Sequence, residues 1–347
     1  MLPQPVLDHA QTRFPLPRPT RRSWLAAAIA GAAATFIGTA PAPAAAAEYP
    51  ERPITLIVPF APGGSSDNIA RTLAPMLSEK LGQPVVVENV GGAGGVLGTQ
   101  RAVRAAADGY TVLLGSGSEI LINKVINPRL PYDGVRDLTP VVFVGTGPMV
   151  LLGKPGLPAR DVNELIALAR SRPGALSYAS AGNGTPMHVA GELLKMRAKI
   201  FMTHIPYRGA APALLDLLGG QIDVAVSTLS AAQPYLKNGR LKAYAVTAAA
   251  PSDLAPDIPA LGRQPGLDGF DLGVWFGLFL PAKTPAAIGS KLQNAAAQVL
   301  ADPAIRKRLA EQGISASGES ADALRKFLVT EQQKYEAVVK AANITAE

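Results

Sequence analysis

The sequence predicts an α/β protein of two lobes with a cleft between them, and three observations carry that reading. From Glu48 onward, short β-rich runs alternate with longer segments of helical period, the pattern of largely parallel strands joined by helices. The alternation comes in two separate series. Two extended apolar runs, over Val141–Leu152 and Gly273–Leu280, connect the series as crossings would.

The first series opens with the strand Ile54–Val58, the loop Gly63-Gly64-Ser65-Ser66-Asp67 and a helix whose apolar face is Ile69, Leu73, Met76 and Leu77. Val85–Val87 and Tyr110–Leu114 follow as strands, with the glycine-rich loop Gly91–Gly95 and a helix between them. Val141–Val144 and Met149–Leu152 then form two apolar pieces interrupted by Gly145-Thr146-Gly147-Pro148, a broken long strand leaving the first lobe. In the second series, Asp161 as N-cap with Glu164 three residues later opens a helix that ends near Pro173-Gly174. Leu176–Ala179 is a strand and Ser180–Thr185 a loop, and Pro186 suits the first turn of the next helix. A strand over Phe201–Ile205 leads through Tyr207-Arg208-Gly209 into a helix containing Leu214, Leu215, Leu217 and Leu218. Ile222–Val226 and Leu241–Val246 are two more strands. After the return crossing come helices near 285–300, 302–312 and 321–342, the last aligning Leu324, Phe327, Leu328, Tyr335, Val338 and Val339.

Composition supports a folded chain of about two domains, at roughly 150 residues each. The 347 residues are 48% hydrophobic and 17% charged, too apolar for disorder. Zero cysteines exclude a thiolate zinc site, an iron–sulfur cluster, a disulfide scaffold and a cysteine nucleophile. The formal charge of +7 dissolves on division: +3 lies in the first 47 residues, and the remaining 29 Lys+Arg are scattered among 25 Asp+Glu. The densest basic cluster, Arg306-Lys307-Arg308, sits beside Asp302 and Glu311 and reads as a solvated helix face, so no nucleic-acid partner is expected.

Arg13, Arg18, Arg21 and Arg22 precede the apolar run Trp24–Thr39 of 16 residues, which leads into Pro41-Ala42-Pro43 and Ala44–Ala47. That order is a basic region, an apolar region and a small-residue cleavage site. The run is shorter than the roughly 20 residues a membrane span needs. Residues 1–47 therefore read as an export signal cleaved near Ala47, and the mature protein as exported. Thr20-Arg21-Arg22-Ser23-Trp24-Leu25 resembles a twin-arginine signal, although any basic leader can hold two adjacent arginines, and the general secretory route stays equally open.

Enzyme signatures are sparse. No Gly-x-Gly-x-x-Gly, P-loop or Gly-x-Ser-x-Gly occurs, and His188 and His204 lack the i, i+4 spacing of a zinc helix, so neither cofactor nor metal is expected. What recurs is a strand, a Gly/Ser/Thr-rich loop and a helix start, at Ala61–Asp67, Ser180–Thr185 and, more weakly, Tyr207–Ala210. A helix start leaves four backbone N–H groups without intrahelical partners and carries roughly half a positive charge, so it binds carboxylate or phosphate without a cationic side chain. Any one such loop is better explained by turn and capping chemistry. One in each lobe makes an anion-gripping cleft.

At this point the residues resemble a family. Pro53–Asp67 is similar to the opening segment of the Bug family, the extracytoplasmic solute receptors of tripartite tricarboxylate transporters. Further matches are Asp108–Leu113, Leu130-Pro131-Tyr132-Asp133, Asp137–Pro140, Tyr207-Arg208-Gly209, Leu218–Asp223, and Trp275–Leu278 with Thr284-Pro285. The segment Phe279-Leu280-Pro281-Ala282-Lys283 departs from the family's usual Ala-Pro-Ala-Gly before Thr-Pro. The resemblance implies a type II periplasmic-binding fold, a Venus flytrap of two α/β lobes, here 48–146 plus 274–347 and 147–273. It implies that the cleft holds a small organic acid, a di- or tricarboxylate, amino acid or aromatic acid, by backbone amides and hydroxyls. Carried over, the ligand residues are Phe60, Ala61, Gly63, Gly64, Ser65, Ser66 and Asp67 facing Ser180, Gly182, Asn183, Gly184 and Thr185, with His188, Tyr207, Gly209 and Ala210 beside them. Ser116, Ser118, Thr228 and Ser230 are further candidates for reading the rest of the ligand. The implied protein is a periplasmic, monomeric receptor without turnover that serves the membrane components of a tripartite transporter or a sensor. The rival reading is a secreted α/β hydrolase of a small carboxylate ester, using Ser65 or Ser66 with His188 or His204.

Overall fold

A computed structural model describes residues 49–345. The export-signal reading of residues 1–47 lies outside the described residues. Strand β1 (Ile54–Val58) runs into α1 (Ser65–Leu81), β2 (Val85–Asn89), α2 (Val96–Val103) and β3 (Thr111–Ser116). A π-helical turn, Ser118–Ile122, and the single turn α3 (Asn123–Ile126) then lead to β4 (Leu138–Gly153). There follow α4 (Val162–Ser171), β5 (Ser177–Ser180), α5 (Pro186–Ala198), β6 (Thr203–Pro206), α6 (Ala210–Leu218), β7 (Val224–Thr228), α7 (Leu229–Lys237) and β8 (Lys242–Val246). The chain ends with β9 (Gly273–Pro281), α8 (Ala286–Ala301), α9 (Pro303–Glu311), β10 (Ser315–Ser320) and α10 (Ala321–Ala341).

The strands run in the order β2-β1-β3-β9-β4-β7-β5-β6, with β10 and β8 also paired to β4. The early part of β4 pairs with β9 and β10, and its last residues, Met149–Gly153, pair with β7 and β8. One strand thus serves two sheets. The expectation of largely parallel strands holds for β2-β1-β3 and β6-β5-β7, while every pair made by β4 and β9 is antiparallel. The reason is topological: β9 returns alongside β4 in the opposite direction.

The expected break at Gly145–Pro148 is absent, because β4 continues for 16 residues through it. The glycines there admit a neighbouring backbone and do not end the strand. A Cβ at Gly145, whose φ is +155°, would overlap the Ser315 carbonyl oxygen, and one at Gly147 would lie 2.7 Å from the Gly313 oxygen. Local signals elsewhere translate directly. Asp161 caps α4 by accepting from the Glu164 N–H at 2.9 Å, although the Glu164 carboxylate turns to the Arg160 N–H and guanidinium and does not close the reciprocal box. Pro186 is the first residue of α5, with Thr185 as its N-cap. Phe201 is 57% exposed and outside the strand expected there, which starts at Thr203.

Buried Val, Leu and Ile of both sheets form one continuous core with Trp275, Tyr178, Phe270 and Tyr335. At roughly 1.5–3 kcal/mol for each large apolar side chain buried, this core supplies the main stabilising effect and holds the strand ends where the loops leave. No helix among the described residues is long and apolar enough to cross a membrane.

Candidate functional site

The loop after β1 is fixed by groups that leave the start of α1 open. Gly63, at φ +83°, makes the left-handed turn that a side chain would resist. Its N–H donates to Asp67 at 2.9 Å, Asp67 is paired with Arg71 at 3.0 Å, and Asn89 donates to the Phe60 carbonyl at 3.1 Å. Burial pushes the Asp67 carboxyl up, but Arg71, the Gly63 N–H and Asn89 together outweigh it and hold the group below its ordinary range. Asp67 is therefore spent on the loop. The N-cap of α1 is Gly64, which offers no side chain to the helix amides.

The facing loop, after β5, is braced from below. Ser180 shares a hydrogen bond with His204 Nε2 at 2.7 Å and accepts from the Gly182 N–H at 3.1 Å, and Thr185 donates to the Gly182 carbonyl at 2.7 Å. The Gly184 N–H donates to His188 Nδ1 at 3.3 Å, and His188 stacks on His204 at 4.2 Å between ring centroids. Tyr178 covers the other face of His204 at 4.7 Å. Burial is the main reason both imidazoles lose their protons easily, with His204 pushed down to about 3 and His188 also lowered. The third loop ends at Gly209, φ +133°, the side-chain-free N-cap of α6. Tyr207 anchors it by donating to Asp216 at 2.6 Å.

The two imidazoles stay neutral in the fold but take up protons below about pH 6.5 in the unfolded chain. Their contribution to stability is therefore complete above that pH and is lost as the pH falls from there toward the folded value. The melting temperature should drop over that interval, and more shallowly in His204→Phe, which keeps the ring stack without the titration. Parallel melting curves for the two proteins against pH would remove this role.

The first residues of three helices meet on one cavity. Gly64, Ser65 and Ser66 come from α1, Thr185, Pro186 and Met187 from α5, and Ala210 from α6, with Phe60, Ser116, Ala181, Val274 and Phe276 completing the wall. No wall residue is charged. Gly182, Asn183 and Tyr207 line an adjoining cavity with Arg208 and Gly94. Ala61, Gly63, Asp67, Ser180, Gly184, His188 and Gly209 lie off both walls and shape the loops. Thr228 caps α7, and Ser230 is buried away from the cavity. Ser118 joins the lobes, its hydroxyl lying 2.9 Å from both the Gly94 and the Gly184 carbonyl oxygens. Ala181, Pro186, Met187, Val274 and Phe276 were not among the sequence candidates. Strand geometry puts Val274 and Phe276 on one face of β9, but Gly273–Leu280 is apolar throughout and carries no signal of which face meets the cavity.

Two α/β lobes meeting over an uncharged cavity walled by helix N-termini are the construction of a periplasmic solute-binding protein. The family model described as "Tripartite tricarboxylate transporter family receptor" matches residues 69–344. Protein BugT of Bordetella pertussis is 38% identical over 308 residues, 88% of this chain and 94% of its own. A Rhodopseudomonas palustris protein solved with adipate superposes with a TM-score of 0.83 at 32% identity, covering 86% of this chain and 99% of its own. MatC from the same organism, solved with bound malate, gives 0.80 at 34% identity over 84% of this chain and 100% of its own. The chain belongs to the tripartite tricarboxylate transporter receptor family. It is a solute-binding receptor and not an enzyme, and the hydrolase alternative finds no support. Geometry agrees: His204 bonds Ser180, which is fully buried, and His188 bonds the Gly184 N–H, so neither serves Ser65 or Ser66.

Proposed function

We propose that this receptor captures a small organic carboxylate in the cavity between its lobes and passes it to the membrane components of a tripartite tricarboxylate transporter. One observation carries the reading: three helix N-termini, two of them capped only by glycine, converge on a wall without a charged side chain. Such a wall favours an anion and needs no counter-ion. Phe60, Met187, Val274 and Phe276 give the ligand's carbon skeleton an apolar side. The malate and adipate of the two Rhodopseudomonas palustris structures support a carboxylate as the ligand class. In this reading residues 1–47 direct export to the periplasm, with cleavage near Ala47, and the mature monomer divides into lobes 48–146 plus 274–347 and 147–273.

A panel of mono-, di- and tricarboxylates and amino acids tests it by thermal shift and native mass spectrometry. At one hundred times its dissociation constant the correct ligand should stabilise the protein by about 2.7 kcal/mol and appear at unchanged mass. Neutral sugars that shift the melt while every acid fails would overturn the proposal.

A further inference from the structure

Beneath the cavity wall lies a carboxyl that the receptor reading does not use. Glu119 is 1% exposed and forms no ion pair with any described residue. It folds back on Ser116, accepting the Ser116 N–H at 2.5 Å and lying 2.9 Å from its hydroxyl. The spacing Ser116-x-x-Glu119 is that of a helix capping box. In that motif, however, the serine oxygen accepts a backbone N–H; here it meets the carboxyl, and Ser116 forms part of the cavity wall.

We propose that Glu119 is a positioning residue that carries a proton and turns the Ser116 hydroxyl into a hydrogen-bond donor for the bound carboxylate, so that the site takes up its anion together with a proton from water. The inference rests on the cleft reading above. A buried carboxylate without a cation is costly, whereas the acid is not. The groups around it bring no positive charge: Tyr132 donates to the Glu119 carbonyl at 3.0 Å, Tyr335 of α10 stands near with Glu331, and Phe60 and Gly95 close the remaining side. Burial pushes the Glu119 carboxyl up to about 8, and both tyrosines are raised as well. One carboxyl oxygen already accepts the Ser116 N–H, so the acid proton has the Ser116 oxygen as its acceptor. The serine's own hydrogen is then free for the cavity. A bound anion nearby disfavours the ionised form further, so binding draws in the proton that the empty site has partly lost near pH 8.

Titration calorimetry of the tightest carboxylate from the panel, in buffers of different ionisation enthalpy, tests this on the unmodified receptor. Near pH 8 about half a proton should be taken up per ligand bound, and above that the affinity should fall about tenfold per pH unit. Glu119→Gln, whose amide donates to the Ser116 oxygen as the acid does, should keep binding, take up no proton and show no such slope. A flat wild-type profile between about pH 6 and 9 with no proton uptake overturns the inference and leaves the cleft reading intact, and so does an identical slope in Glu119→Gln. Absence of binding by every carboxylate overturns the cleft reading, and this inference with it.

Discussion

Gly64→Asp should abolish carboxylate binding while leaving the ligand-free protein at least as stable as its parent. Gly64 has extended backbone angles, φ −82° and ψ 175°, and a Cβ there would meet only the Ala61 oxygen, at 3.8 Å. Nothing obstructs a Cβ at this position. Aspartate is a preferred N-cap and its charge suits a helix start, worth about 0.3–1 kcal/mol. The same carboxylate occupies the space and the amides that the ligand needs. Two like charges about 4 Å apart at an effective dielectric of about 20 repel by about 4 kcal/mol, roughly a thousandfold in affinity. Gly64→Asn takes the same space and amides without the charge and should lose less of the binding. Calorimetric affinities for the three proteins decide the matter: equal binding by the Asp and Asn variants would mean that α1 does not grip the anion.

The second large effect is expected at Gly94. Its φ of +61° is in the left-handed region, and a Cβ there would overlap the Asn183 carbonyl oxygen on the loop of the other sheet. Gly184, φ +70°, meets Asn123 in the same way. Gly94→Ala should therefore hold the lobes apart. Because the apparent affinity falls with the population of the competent state, a closure cost of about 1.4–2.7 kcal/mol weakens binding by roughly ten- to a hundredfold. At a ligand concentration a few times the parent's dissociation constant, solution scattering of the variant should stay close to the radius of gyration of the ligand-free parent. If the variant contracts as the parent does, the approach of Gly94 to Asn183 is not part of the bound state.

Much of this architecture was legible because periodicity and caps are local. Ile54–Val58, the Asp161 cap, Pro186 and the apolar face of α10 each follow from a few adjacent residues. The meeting of the α1 and α5 starts on one cavity could be anticipated from two similar loops in two lobes. Strand β10, Ser-Ala-Ser-Gly-Glu-Ser, could not, since it has no apolar alternation and exists only because β4 offers it an edge. The position of Glu119 was equally hidden: its spacing from Ser116 reads as an ordinary cap, and only burial separates the two meanings.

The continuity of β4 has a kinetic consequence. Its first half cannot complete its sheet until Leu138 meets Pro281 and Val142 meets Ser320, near the far end of the chain. Closing loops of that length before any ladder forms is entropically expensive, and pairing of this kind is slow. A chain emerging from the ribosome thus reaches β4 long before it holds either partner strand. It stays uncommitted until synthesis is nearly finished, so the receptor locks into shape late.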